Sequence, residues 1–177
     1  LPDGRLLITE RSGQLILFNP IDQTKTLIRN IPKVAYGGQG GLGDIALHPE
    51  FAQNHQIYLS YAEAGQGGYG AVVIRADLNL DQAQPQLDNL KMIWKQAPKV
   101  RGQGHYAHRM LFDGAGKLWI SSGERQKFDP AQDLTSNLGK MIRLNDDGSV
   151  ALDNPFQTQG DIAKQIWSLG HRNPLGM

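Results

Sequence analysis

The strongest constraint on this chain is one short pattern that returns along it. Asp3-Gly4-Arg5-Leu6-Leu7-Ile8-Thr9 reads as a turn, three apolar residues and a hydroxyl, and Gly116-Lys117-Leu118-Trp119-Ile120-Ser121 reads the same way. Between them lies Gln56-Ile57-Tyr58-Leu59-Ser60, so copies aligned on Leu7, Tyr58 and Trp119 stand 51 and 61 residues apart. A period of that size holds four short strands with their loops, which is one blade of a β-propeller. Further runs fill the intervals: QLILF, AVVIRADL, KMIWK, KMIRLN and QIWSL, each rich in β-branched or aromatic residues and bounded by turn residues. Helical periodicity is weak. The best candidate for a short helical turn is AQDLTSNLG, 131–139, closed by Gly139.

The pattern predicts an all-β chain in which residues 1–177 form one partial propeller domain. About three blades fit in this length, whereas roughly 4 to 8 close a ring, so the domain is expected to continue beyond Met177. Residue 1 stands directly before a blade strand, and Met177 where a connection to the next blade should begin. A β-sandwich is the competing architecture, since it too repeats short strands between turns. The 21 glycines suit either.

Charge and composition narrow the function classes. Eighteen basic residues against 17 acidic ones leave a net charge of +1, with the basic residues scattered, so no global field steers the chain to nucleic acid or an anionic membrane. No apolar run approaches the roughly 18 residues that span a bilayer, and LPDGRLL has no signal-peptide layout. Zero cysteines exclude disulfides and thiolate metal sites, and fit a reducing or an oxidising compartment equally.

Four stretches combine glycine with polar side chains. In YGGQGGLGD, residues 36–44, five glycines surround Gln39. The run lacks the lysine and hydroxyl of a phosphate loop, which leaves a tight inter-blade connection or a ligand-facing Gln39 amide that donates and accepts. In GQGHYAHRM, His105 and His108 are three apart. On a strand that spacing faces opposite sides, which argues against a shared metal and leaves one imidazole free to act as a general base, or both as structural side chains. SSGERQKFDPAQDL ends a strand on Glu124 and Arg125. It has no calcium-loop spacing, and a surface salt bridge or a loop cap is its expected use. GHRNPLG offers the planar donor fork of Arg172 and the amide of Asn173, although Asn before Pro also makes an ordinary turn.

In this order, QGGLGDIALHPEF, GHYAHRMLFDGAGKLWISSGER, AQDLTSNLGKMIRLNDDGSVALDNPF and IWSLGHRNPLGM resemble the soluble aldose sugar dehydrogenases. These use pyrroloquinoline quinone (PQQ) and are related to soluble quinoprotein glucose dehydrogenase. GHRNPxG and GKxxRLxxDGxxxxDNPF are the most specific parts of the likeness, which runs over nearly the whole chain. The resemblance implies a six-bladed propeller of which this is roughly the first half, short of its opening strand. It also implies oxidation of the C1 hydroxyl of an aldose to the lactone, with electrons passing to PQQ and on to an external acceptor. By the same resemblance His105 is the base that removes the hydroxyl proton, Gln39 lies beside sugar and cofactor, and Arg172 and Asn173 hold PQQ. The resemblance further implies calcium as a second cofactor, with its ligands expected beyond Met177, and a periplasmic or secreted location.

Two positions depart from the related pattern. Gly104 stands where glucose dehydrogenase has Asp, which implies broader aldose specificity. His108 replaces a small residue and is expected to narrow the pocket or change its charge. A non-catalytic propeller that binds a partner is the alternative function, and the joint presence of Gln39, His105, Arg172 and Asn173 favours the enzyme. A calcium-dependent lactonase-type propeller fits less well, because no inner carboxylate cluster is visible. Three blades leave strand edges unpaired, so residues 1–177 alone are expected to be inactive and prone to self-association.

Overall fold

The computed structural model describes residues 1–81 and 84–177. Among the described residues, eleven strands form three antiparallel sheets in chain order. β1 (Leu6–Glu10), β2 (Gln14–Phe18) and β3 (Lys25–Leu27) make the first sheet. β4 (Leu42–Leu47), β5 (Gln56–Gly65), β6 (Gly68–Asn79) and β7 (Gln86–Lys95) make the second. β8 (Ala107–Phe112), β9 (Leu118–Ser122), β10 (Lys140–Leu144) and β11 (Ile166–Leu169) make the third. Each is a meander whose neighbours in sequence pair directly, the blade unit that the repeat predicts. Leu7, Tyr58 and Trp119 fall on β1, β5 and β9.

Side-chain alternation assembles the sheets into a stack. Successive residues of a strand point to opposite faces, and the middle sheet uses both. Ile57, Leu59 and Tyr61 of β5, with Val72, Ile74, Ala76 and Leu78 of β6, pack against Leu15 and Leu17 of the first sheet and Ile28 directly after it. Their neighbours Tyr58, Ala62, Ala71 and Val73 pack against Met110, Leu118, Ile120, Ile142, Leu144 and Ile166 of the third. Each fully buried aliphatic side chain contributes about 1.5–3 kcal/mol, so both inter-sheet cores are substantial. The outer faces of the stack stay open: Leu6 and Leu27 are 48% and 53% exposed on the first sheet, and Trp167 is 41% exposed on the third.

The strands nearest one another across the sheets are the first of each meander, β4 lying between β1 and β8. Two sequence expectations are corrected here. Leu42–Leu47 is a strand, not the tail of a glycine loop, and its register slips between Leu42 and Ile45 where Gly43 and Asp44 stand. The helical turn near Gly139 is a 3-10 turn at Asp129–Gln132, followed by further turns up to β10. Pro130 fixes its first turn, and Lys140 holds it by donating to the carbonyls of Pro130 (2.6 Å), Ala131 (3.1 Å) and Leu138 (2.7 Å). HPEFAQNH also forms a short helix, α1 (Phe51–Asn54).

Candidate functional site

Four segments meet where β4 and β8 begin: the glycine run before β4, the loop before β8, the end of β9, and the turn after β11. They are joined mainly through backbone groups. The His105 N–H donates to Gln39 Oε1 (2.7 Å), and the Gln39 N–H donates to the Gln103 carbonyl (2.7 Å). The Ala107 N–H donates to Asn173 Oδ1 (3.1 Å), and the Glu124 N–H donates to the Arg172 carbonyl (2.9 Å). The four residues singled out in the sequence, Gln39, His105, Arg172 and Asn173, therefore stand in one place.

His105 is held on several sides. Its Nδ1 pairs with the Glu124 carboxylate at short range, and its carbonyl accepts the Arg125 N–H (3.3 Å). Its φ of 49° is left-handed, a conformation that a non-glycine residue keeps only when its surroundings over-determine it. Glu124 is 2% exposed. Burial acts to raise its pKa, but the N–H of Phe128, the His105 ring and the N–H groups of Lys127 and Gln126 outweigh it and hold the carboxyl below its ordinary value. An ionised Glu124 accepts a proton-bearing Nδ1, which leaves the lone pair of a neutral His105 on Nε2. That is the arrangement of an oriented general base.

Glu124 and Arg125 correct the expectation of a surface salt bridge. Glu124 does cap its loop, accepting the Phe128 N–H at 2.7 Å, but it is a buried partner of His105. Arg125 is 1% exposed and makes no ion pair among the described residues. The small residues Ser121, Ser122 and Gly123 directly before them were the available signal, since a strand end of small side chains lets other backbone approach closely.

His105 and His108 do diverge, but not by strand alternation. His105 precedes β8, Ala107 and His108 have φ of 57° and 49°, and the register slips between Ala107 and Met110. Nor does His108 project beside His105 to narrow the site. It is buried against β4 and β5 with Nδ1 2.8 Å from Ser60 Oγ, which also accepts the Asp44 N–H (2.8 Å). The hydroxyl can donate to an unprotonated Nδ1 or accept from a protonated one, and burial favours the neutral imidazole. Gly43 makes the room, because a Cβ there would lie 1.9 Å from His108 Cε1. A side chain at Gly104 would likewise meet the Gln126 carboxamide, with Oε1 at 2.5 Å from its Cβ.

Burial, with Arg109 and Arg125 adding to it, pushes the His108 pKa down to about 4. An unfolded chain binds a proton near 6.5, so stability is complete above that pH and falls as pH drops towards 4. The full-length protein is expected to lose about 3 kcal/mol across this window through His108. Urea unfolding at pH 7 and pH 4.5 measures it, and His108→Gln should remove most of the difference. An equal loss in both proteins would assign the pH dependence elsewhere.

Arg172 is exposed, and its guanidinium has no hydrogen-bond partner among the described residues. The amide nitrogens of Gln39 and Asn173 likewise donate to no described group. Planar donors of this kind, free beside an oriented imidazole, suit the carboxylates and carbonyl oxygens of a flat polar ligand. Among the described residues no group of three or more His, Cys, Asp or Glu side chains is placed to hold a metal ion.

Comparisons with known proteins point the same way. The family model described as Glucose / Sorbosone dehydrogenase matches residues 1–177. The aldose sugar dehydrogenase YliI of Escherichia coli is 37% identical over 178 residues, covering 100% of this chain and 48% of the relative. A crystal structure of glucose dehydrogenase superposes with a TM-score of 0.92 at 40% identity, over 98% of this chain and 51% of that one. The PQQ-bound aldose sugar dehydrogenase of Streptomyces coelicolor superposes with a TM-score of 0.85 at 28% identity, over 98% and 49% of the two chains. The chain spans about half the length of the relatives it matches.

Proposed function

The chain belongs to the glucose/sorbosone dehydrogenase family, and from that premise we propose that it is part of a PQQ-dependent oxidoreductase that converts the C1 hydroxyl of aldose sugars to the lactone. The observation that carries the reading is the buried Glu124 carboxylate on His105 Nδ1, which turns Nε2 into an oriented base. His105 Nε2 takes the hydroxyl proton while C1 gives up a hydride, so the sugar loses two electrons and two hydrogens and closes its carbonyl. PQQ, when bound, supplies the two-electron acceptor for that hydride.

The chain's own residues do the rest. Arg172 and Asn173 would hold the cofactor through their free donors, and the Arg172 charge would favour anionic oxygens placed against it. Gln39 fixes the His105 backbone through Oε1 and turns its amide nitrogen to the sugar. Glu124 stabilises the imidazolium formed on proton uptake, a role a neutral side chain would fill poorly. A positioned base of this kind contributes about 10²–10⁴-fold. Calcium is the proposed second cofactor, with ligands outside residues 1–177, and an external acceptor reoxidises the system. No helix among the described residues is long and apolar enough to cross a membrane; the proposed location is periplasmic or secreted.

The test is reduction of an artificial acceptor by the full-length protein with a panel of aldoses, with and without PQQ and calcium. Sugar-dependent turnover that requires PQQ is expected from the full-length protein, and none from residues 1–177 alone. A folded full-length protein that binds PQQ but oxidises no aldose would move the function to a non-catalytic binding propeller.

A further inference from the structure

The guanidinium of Arg125 is buried without a carboxylate partner, a costly placement unless it is hydrogen-bonded. Each of its three nitrogens donates to a carbonyl, two of them on the loop that carries His105. Nε donates to the Gly104 carbonyl (2.8 Å), Nη2 to the Gly102 carbonyl (2.6 Å), and Nη1 crosses to the Tyr69 carbonyl on β6 (2.6 Å). The guanidinium lies 3.7 Å from the centre of the Tyr106 ring. The residues before and after His105 are thus gripped by one side chain, and His105 itself by the Arg125 N–H.

We propose that Arg125 is the positioning residue of this site: its guanidinium locks the 102–106 loop against the second sheet and thereby sets where His105 Nε2 points. The inference rests on the reading of His105 as the base. Left-handed φ values at His105 (49°), Ala107 (57°) and Arg125 itself (59°) make the two interlocked segments conformations that relax when released. Only a rigid fork reaches three carbonyls in three directions while stacking on a ring. Lysine, a point charge on a flexible stem, reaches fewer of them and does not stack in the same way. A side chain that served only to stabilise the blade could be traded for lysine or an apolar residue without moving the imidazole.

The experiment uses the full-length protein with ¹⁵N-labelled histidine, the His105 ring signals being assigned by their loss in His105→Gln. Arg125→Lys is expected to stay folded, to shift or broaden those ring signals, and to lower kcat about tenfold or more with the aldose KM within about twofold, because misplacing a base by 1 Å costs on the order of a hundredfold. Wild-type ring signals in Arg125→Lys, whether or not activity falls, would overturn the assignment. If Arg125→Lys does not fold, Tyr106→Leu removes the ring beneath the guanidinium and leaves its carbonyls. Displaced His105 signals in that variant support the proposal and unchanged ones overturn it. A wild-type protein with no PQQ-dependent turnover would sink the dehydrogenase reading, while the ring signals would still decide the role of Arg125.

Discussion

Replacing His105 with alanine in the full-length protein is expected to lower aldose turnover at least about a hundredfold, within the usual range for a lost general base. The sugar and the cofactor keep Gln39, Arg172 and Asn173, so the loss should fall on kcat and leave KM for the sugar nearly unchanged. Stability should change little, because Glu124 keeps the N–H of Phe128 and reaches water through the space the ring leaves. Steady-state kinetics with a saturating acceptor, beside thermal unfolding of the same preparations, separate these effects. Turnover within about threefold of wild type would remove His105 from proton transfer.

Gly123→Ala is expected to be at least as damaging, by a steric route. A Cβ at position 123 would lie 2.6 Å from the His105 carbonyl carbon and closer still to its oxygen, with Asn173 Oδ1 at 3.1 Å. The obstacle is backbone and cannot turn aside as a side-chain tip does. Either the 102–106 loop retreats, carrying His105 with it, or β9 moves away from β8, where the Gly123 N–H donates to the Tyr106 carbonyl (3.1 Å). Overpacking of this kind costs about 1–3 kcal/mol or more, and the displacement should remove a hundredfold or more of the turnover, about the effect of a 1 Å error. Gly114→Ala is the control, since a Cβ there meets nothing within 4 Å and the residue is not left-handed. Equal unfolding midpoints and turnover for the two variants would refute the close-approach argument.

Much of the architecture was legible because blade strands announce themselves. AVVIRADL and KLWISS are apolar, β-branched runs between turn residues, and the recurrence at Leu7, Tyr58 and Trp119 marks β1, β5 and β9, the first strand of its sheet in one case and the second in the other two. β4 was hidden because its pairing tolerates Gly43 and Asp44, residues that strands usually avoid. Gln39, His105, Arg172 and Asn173 could be picked out as polar groups in glycine-bearing loops. Their assembly could not, because it depends on backbone bonds between positions 66 residues apart, such as His105 to Gln39 and Ala107 to Asn173. Glu124 and Arg125 looked like surface charges for an elementary reason. Burial of an ionised side chain is decided by partners, and theirs are an imidazole and three carbonyls that only the fold brings near. His108 parts from His105 as a strand reading expects, but left-handed residues on either side of Tyr106, rather than side-chain alternation, turn the two apart.

The two-faced middle sheet has a consequence for what changes the chain tolerates. In β5 the odd positions 57, 59 and 61 serve one core and the even positions 58 and 62 the other; in β6 the assignment is reversed. Parity, rather than hydrophobicity alone, is the information these strands hold, since both of their faces carry core residues. A single-residue deletion near the start of β5 would leave its composition nearly intact and exchange the two sets, sending Tyr58 into the space of Ile57 and Ala62 into that of Tyr61. A two-residue change would restore parity and shift only the ends. Length variation among relatives of this chain should therefore fall in loops, and where it enters β5 or β6 it should come in pairs.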